Sequence, residues 1–234
     1  MKKQILLGLC TASLMSTCVF ADESKVFVKT KIGIGYDAQI YSGEVKDMIK
    51  EADDAGLSVN KVNRAPIISL GSNLYFNLSN VFKPFIGFEA QGRLPVFGND
   101  FEDKASWLSV PSLKEKKYSE IQFNEYFRLN AKLGSRINIG KNFAFEPYAL
   151  GGINFTEMKY NRDLGSEHFY DKSLKYGFTY GLGTDIVIYN RFTIGFEYRC
   201  GITRFDGVQQ GQAIYMNDIK LKTHSFIFKT GIEF

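Results

Sequence analysis

Apolar and polar side chains alternate along this chain in about eight stretches, with the period of two that sends successive side chains to opposite faces of a strand. The first, VFVKTKIGIGY at 26–36, sets Val26, Val28, Ile32, Ile34 and Tyr36 against Lys29, Lys31, Gly33 and Gly35. Near 66–78, Ile68, Leu70, Leu74, Phe76 and Leu78 oppose Ser69, Gly71, Asn73 and Asn77; over 82–94, Phe82, Ile86, Phe88 and Ala90 oppose Lys83, Gly87, Glu89, Gln91 and Arg93. The fourth stretch, 118–137, places Ile121, Phe123, Phe127, Leu129, Ala131 and Leu133 on one face and Gln122, Asn124, Arg128, Asn130 and Lys132 on the other. Four more follow at 143–156, 174–189, 191–204 and about 218–234, the last ending in FIFKTGIEF with Phe226, Phe228, Thr230, Ile232 and Phe234 together. The pattern predicts an all-β chain of eight strands.

What separates the strands alternates too. NVFKPFIGFEAQG at 80, NFAFEPYALGGINF at 142 and NRFTIGFEYRCG at 190 form a weak internal repeat, each with Asn in a tight turn and a Phe (Phe82, Phe143, Phe192) opening a strand. Long polar segments at about 38–64, 95–117, 157–173 and 205–217 separate the other pairs. Short turns at one end of an antiparallel meander and long loops at the other is the asymmetry of outer-membrane barrels. An even strand number puts both termini at the turn end.

The N-terminus changes where such a meander would sit. Lys2 and Lys3, an apolar run from Ile5 to Phe20 interrupted near Cys10, and Ala21 before Asp22 and Glu23 have the layout of a secretory signal peptide. The expected organisation is a signal peptide at 1–21 and one barrel domain at 22–234. Of three cysteines, Cys10 and Cys18 lie in the segment to be removed, so Cys200 has no partner and the exported fold must close without disulfides. His168 and His224 are far apart in sequence, and neither a metal nor another cofactor is expected. No mature stretch supplies the roughly 20 apolar residues of a spanning helix. Net charge is +4, or +2 without Lys2 and Lys3, which gives no argument for nucleic acid.

Composition decides which face looks inward. The polar face is rich in Gly and mixes signs: Lys29, Asp37, Glu89, Arg128, Glu197, Arg199, Lys229 and Glu233. Small residues and compensating charges fit the narrow interior of an eight-stranded barrel, which side chains fill. The apolar face, with Tyr36, Phe76, Phe82, Phe143, Tyr176, Phe192 and Phe234 as a girdle near strand ends, fits lipid. The expectation is therefore an eight-stranded antiparallel transmembrane β-barrel in the bacterial outer membrane, an up-and-down meander with long extracellular loops and short periplasmic turns.

With the signal peptide, the Asn-x-Phe turns, the Pro84-Phe85 and Pro147-Tyr148 strand starts and the terminal KTGIEF, the chain resembles the opacity-type and surface-antigen outer-membrane proteins, including small barrel adhesins of intracellular Gram-negative bacteria. The resemblance covers the whole mature chain, and its motifs are architectural. It implies an adhesin or surface antigen whose extracellular loops contact host surface, serum or matrix proteins. It also implies that Phe234, the interfacial anchor of the last strand, is recognised by barrel-assembly machinery. Outer-membrane lipid and lipopolysaccharide are the remaining expected partners.

Candidate partner-binding residues lie in the loops. In 95–117, Phe101, Trp107 and Leu108 stand between charged runs, with Lys114, Lys116 and Lys117 following. Aromatics framed by charge are binding anchors or loop-packing residues, and the lysines are a solvated run or a contact for anionic lipopolysaccharide or glycans. In the first loop Val45, Met48, Ile49 and Ala52 recur at helical spacing, with Glu44 and Asp47 at the start and Gly56 past the end. This predicts a short helix that covers the barrel mouth or presents a partner-binding face. Barrels resembling lipid A deacylases pair His with Ser, but in THSF at 223–226 His224 and Ser225 point to opposite faces, so no enzyme is expected. His168 is expected in a solvated loop. The alternatives to adhesion are a structural envelope barrel or a narrow low-conductance porin.

Overall fold

The structure, a computed structural model, describes residues 25–54, 61–94, 107–111, 118–163, 168–210, 213–216 and 218–234. The expected signal peptide lies outside these residues. Eight long strands form the wall: β1 (Val26–Ser42), β2 (Val62–Phe76), β3 (Phe82–Arg93), β5 (Tyr118–Ile139), β6 (Phe143–Asp163), β7 (His168–Ile188), β8 (Phe192–Phe205) and β11 (Ile219–Glu233). Each pairs antiparallel with its neighbour, and β11 pairs with β1 from Ser42↔Lys222 to Lys31↔Glu233, which closes the ring. Within the ring each wall strand then has a partner on both sides, the condition for a sheet to cross lipid. Beyond Glu233, the backbone of Phe234 exchanges two hydrogen bonds with Thr30, at 2.9 and 3.0 Å.

Alternation sorts the side chains as the sequence predicts in every wall strand but one. Ile34, Leu133 and Phe178 are each about two-thirds exposed on the outside, whereas Asp37, Glu146 and Asn130 are fully buried inside. Large apolar groups outside and charges inside invert a water-soluble barrel and match a lipid-facing one. The exception is β5. Its register against β6 shifts between Glu125 and Phe127, leaving Tyr126 as the extra residue of a β-bulge. The slip of one residue reverses the facing of everything before it. Ile121 and Phe123, expected on the lipid face, point into the barrel mouth, and Glu125 joins them inside. Tyr36, expected near a strand end, sits mid-strand opposite Phe228, because β1 continues to Ser42.

The turns are tight as expected. Tyr189 and Asn190 both have φ of 53°, and Gly140 has φ of 72°, so the β7–β8 and β5–β6 turns use the left-handed region that Asn and Gly tolerate. The loop end is more ordered than its polar composition indicated. The expected loop at 157–173 is instead mostly paired strand, from Thr156↔Lys175 out to Asp163↔His168, so His168 belongs to a strand. Apolar periodicity fades there because the apolar residues of the hairpin are split between the buried mouth cluster (Met158, Tyr160) and the exposed outer side (Tyr170, Leu174). The segment 205–217 contains a hairpin of β9 (Val208–Gln210) and β10 (Ala213–Met216), and within 95–117 the strand β4 (Trp107–Pro111) pairs with β5. The predicted helix is present as α1 (Glu44–Asp54).

Candidate functional site

Three layers of charge occupy the interior. Nearest the turns, Arg136 donates to Glu233 at 2.6 Å and to Glu146 at 3.1 Å, while Lys31 bonds Glu146 and lies 2.9 Å from Asp185. In the middle, Lys229 donates to Glu89 at 3.0 Å and to Glu197, and Lys132 and Arg199 bond the same two carboxylates. Toward the loops, Arg128 donates to Asp37 at 2.8 Å and to Glu125, and Arg93 forms an ion pair with Asp37 at 3.2 Å. Each layer includes at least one pair on strands three or four apart in the ring, Arg136–Glu233, Lys229–Glu89 and Arg128–Asp37 among them, so each ties distant walls together. At Gly152 the β6 backbone lies close against β5: a Cβ there would stand 1.9 Å from the Leu129 carbonyl oxygen and 2.8 Å from the Asn130 Cα.

Both ends of this network are capped. At the turn end Tyr75 stacks on Phe27 at 4.9 Å and donates to Glu146 at 2.9 Å, and the Tyr148 hydroxyl donates to Glu197 at 2.6 Å. At the loop end Val45 and Ile49 of α1 pack with Tyr41, Ile121, Phe123, Met158 and Phe205 in one buried cluster. The two helix residues are 0% and 7% exposed, and burying each contributes about 1.5–3 kcal/mol. Of the two readings of this helix, cover over the mouth describes its apolar face. Glu44 fixes its start by accepting a 2.9 Å hydrogen bond from the backbone of Lys220. A cavity of about 20 Å³ beside Lys31, Glu89 and Lys229 has room for about one water.

Outside, the apolar band and the closed ring point to a lipid-embedded barrel, and the family comparison agrees. The family model for the outer membrane protein beta-barrel domain matches residues 7–234. The chain belongs to that family. Its place is accordingly the bacterial outer membrane. Among solved structures, this outer-membrane barrel is similar to Ail, the attachment invasion locus protein of Yersinia pestis, at 13% identity over 88% of this chain and 98% of that one, with a TM-score of 0.43. Neisserial surface protein A matches at 9% identity over 90% and 98%, TM-score 0.33, and the outer membrane protease OmpT from Escherichia coli at 7% over 88% and 96%, TM-score 0.34. No curated protein matches the sequence.

The structure places the sequence-predicted residues unevenly. Trp107 and Leu108 sit in β4, at register positions opposite Gln122 and Ile121 of β5, while Phe101, Lys114, Lys116 and Lys117 lie outside the described residues. Phe234 is 60% exposed on the lipid side at the turn end. His224 and Ser225 diverge as expected: Ser225 accepts from Arg128 at 3.1 Å inside, and His224 faces outward. Sequence reasoning missed what surrounds His224. Tyr198 and Cys200 lie beside it on β8 and Ser42 beside it on β1, neighbours that only strand register brings together.

Proposed function

We propose that the protein is a surface-exposed adhesin or surface antigen and not an enzyme, with the barrel as scaffold and the loop end, facing outside, as the contact surface. The observation that carries this reading is strand length. A spanning strand needs about 9–11 residues, whereas β5, β6 and β7 have 22, 21 and 21. About half of each therefore projects beyond the bilayer as a stiff three-stranded wall. On it Tyr170 and Leu174 are exposed, and Glu157 accepts from Lys172 at 2.5 Å. A rigid wall presents side chains at low ordering cost, which favours a binding surface. The loop residues Phe101, Trp107, Leu108, Lys114, Lys116 and Lys117 flank it in sequence and are proposed to contribute to the same contact.

The accompanying proposals are that export removes residues 1–21 and that Phe234 anchors β11 at the periplasmic interface and serves the assembly machinery. The packed lumen favours adhesion over conduction. The test is to replace residues 161–170 with Asn-Gly, which joins the paired residues Tyr160 and Asp171 through a two-residue hairpin turn. Binding to host cells and serum proteins is then compared with the parent, with retarded mobility on unheated gels as the folding control. Binding lost from a folded variant supports the reading. A folded variant that binds as well as the parent, combined with a shortened 95–117 loop that also binds, refutes it.

A further inference from the structure

On the outer wall, strand pairing stacks the lipid-facing side chains of β7, β8, β11 and β1 in rows. One row runs Thr184, Phe196, Phe228, Tyr36 and the next, toward the loops, Leu182, Tyr198, Phe226, Ala38. Thr184 is the small residue in a row of aromatics, and a groove of about 510 Å³ opens there between Leu182, Tyr198 and Phe226. That volume is within the range of small-molecule sites. Its walls are apolar, and it lies on the lipid-facing surface.

The next row up is polar. His224 shares a hydrogen bond with the Tyr198 hydroxyl at 2.7 Å through Nδ1 and with Ser42 at 3.1 Å through Nε2, and the Cys200 thiol lies 3.5 Å from Tyr198. Polar groups on a lipid face are costly within the hydrocarbon and tolerable at headgroup level. The ladder from Ile232 to His224 spans eight residues, or about 26 Å of strand. At a tilt of about 40° that is some 20 Å of height, close to the thickness of the apolar band. The cluster therefore marks the interface on the loop side. Above it Lys222, Lys220 and Arg204 face outward, and Arg64 of β2 faces outward in the row of Ala38 and Phe226. Among the described residues, Glu44 bonds the backbone of Lys220.

We propose that this seam is a binding site for a single lipopolysaccharide molecule, one acyl chain in the groove under Thr184 and its phosphorylated headgroup against Tyr198, His224 and the basic residues above. Tyr198 joins the two halves, since it lines the groove and bonds the polar cluster. Several cations gathered over one groove match a multiply phosphorylated glycolipid better than a phospholipid carrying one phosphate. The assignment rests on the loop end facing outside.

The test is retention. The barrel is refolded in phosphatidylcholine nanodiscs containing either rough lipopolysaccharide or phosphatidylglycerol, extracted in mild detergent, and its bound lipid counted by native mass spectrometry. The parent retains one lipopolysaccharide and sheds phosphatidylglycerol. Thr184→Phe, which fills the groove, and Tyr198→Phe with His224→Leu each lower retention about tenfold, the effect of roughly 1.4 kcal/mol. Leu133→Phe, on β5 opposite β11 in the ring, leaves it unchanged. Retention by Thr184→Phe at the parent level, or equal retention of phosphatidylglycerol, overturns the proposal. Nanodiscs carry the lipid in both leaflets, so this result does not depend on orientation, which loop accessibility in intact cells reports separately.

Discussion

Replacing Arg128 with Met tests whether the interior charges hold the barrel as a network or merely fill it. Arg128 is 2% exposed and bonds Asp37 at 2.8 Å, Ser225 at 3.1 Å and Glu125. Methionine keeps much of the volume and removes the charge, leaving Asp37 with Arg93 at 3.2 Å and Glu125 with Gln39 at 2.8 Å. The loop-side layer then holds two carboxylates against one arginine. Two charge-assisted hydrogen bonds at about 1.5–3 kcal/mol each would be lost, and removing one partner of a buried pair costs about 3–5 kcal/mol. The expected destabilisation is therefore about 3–5 kcal/mol. Adding Glu125→Gln restores one carboxylate to one arginine, so the double variant should recover about 2 kcal/mol, a coupling typical of residues in one network. Urea titration in lipid vesicles, followed by circular dichroism and gel mobility, measures both variants. A loss below about 1 kcal/mol for Arg128→Met, or a double variant less stable than the single, refutes the reasoning.

Three further outcomes are expected. Ile49→Asp puts an unpaired charge into the mouth cluster and should release α1 without unfolding the ring, seen as at least a roughly tenfold rise in tryptic cleavage at Lys46 and Lys50 with β-sheet content unchanged. Deleting Tyr126 removes the bulge and should turn Ile121 and Phe123 toward lipid, so α1 loses its seat and amide-exchange protection over 44–54 disappears while 128–139 stays protected. Gly152→Val drives a Cβ toward the Leu129 oxygen 1.9 Å away and should prevent refolding, read as no heat-modifiable band; a stable folded variant would contradict the packing described.

Much of the wall was legible because lipid enforces it. Ile32, Ile34, Phe226 and Phe228 alternate with Gly33, Gly35, Ile227 and Lys229 since each face meets one uniform environment along its length. The places where reading failed are those where that enforcement stops. Ile121 and Phe123 have the same apolar character as Phe127 and Leu129, and nothing in composition reveals the extra residue at Tyr126 that reverses them. In the hairpin beyond Thr156, Met158 and Tyr160 are buried in the mouth cluster while Tyr170 and Leu174 are exposed, so the apolar residues do not sort onto one face. Interior pairing was unreadable for another reason: Lys31 and Glu146 are 115 residues apart and meet only because the ring closes. The same holds for Ser42 and His224, separated by 182 residues.

That closure also bears on where function can reside. Each interior layer matches arginine or lysine to carboxylates across the barrel, and both ends are capped by buried aromatic and aliphatic side chains. A ligand entering the lumen would have to break at least one such layer, at a cost of several kcal/mol before it made a contact of its own. The outer surfaces carry no such penalty. Above the bilayer the β5–β6–β7 wall is already ordered, and at the interface the groove beside Thr184 is already open. Binding at either needs no rearrangement of the ring, so a partner there can be gained or lost through surface side chains while the interior continues to hold the fold.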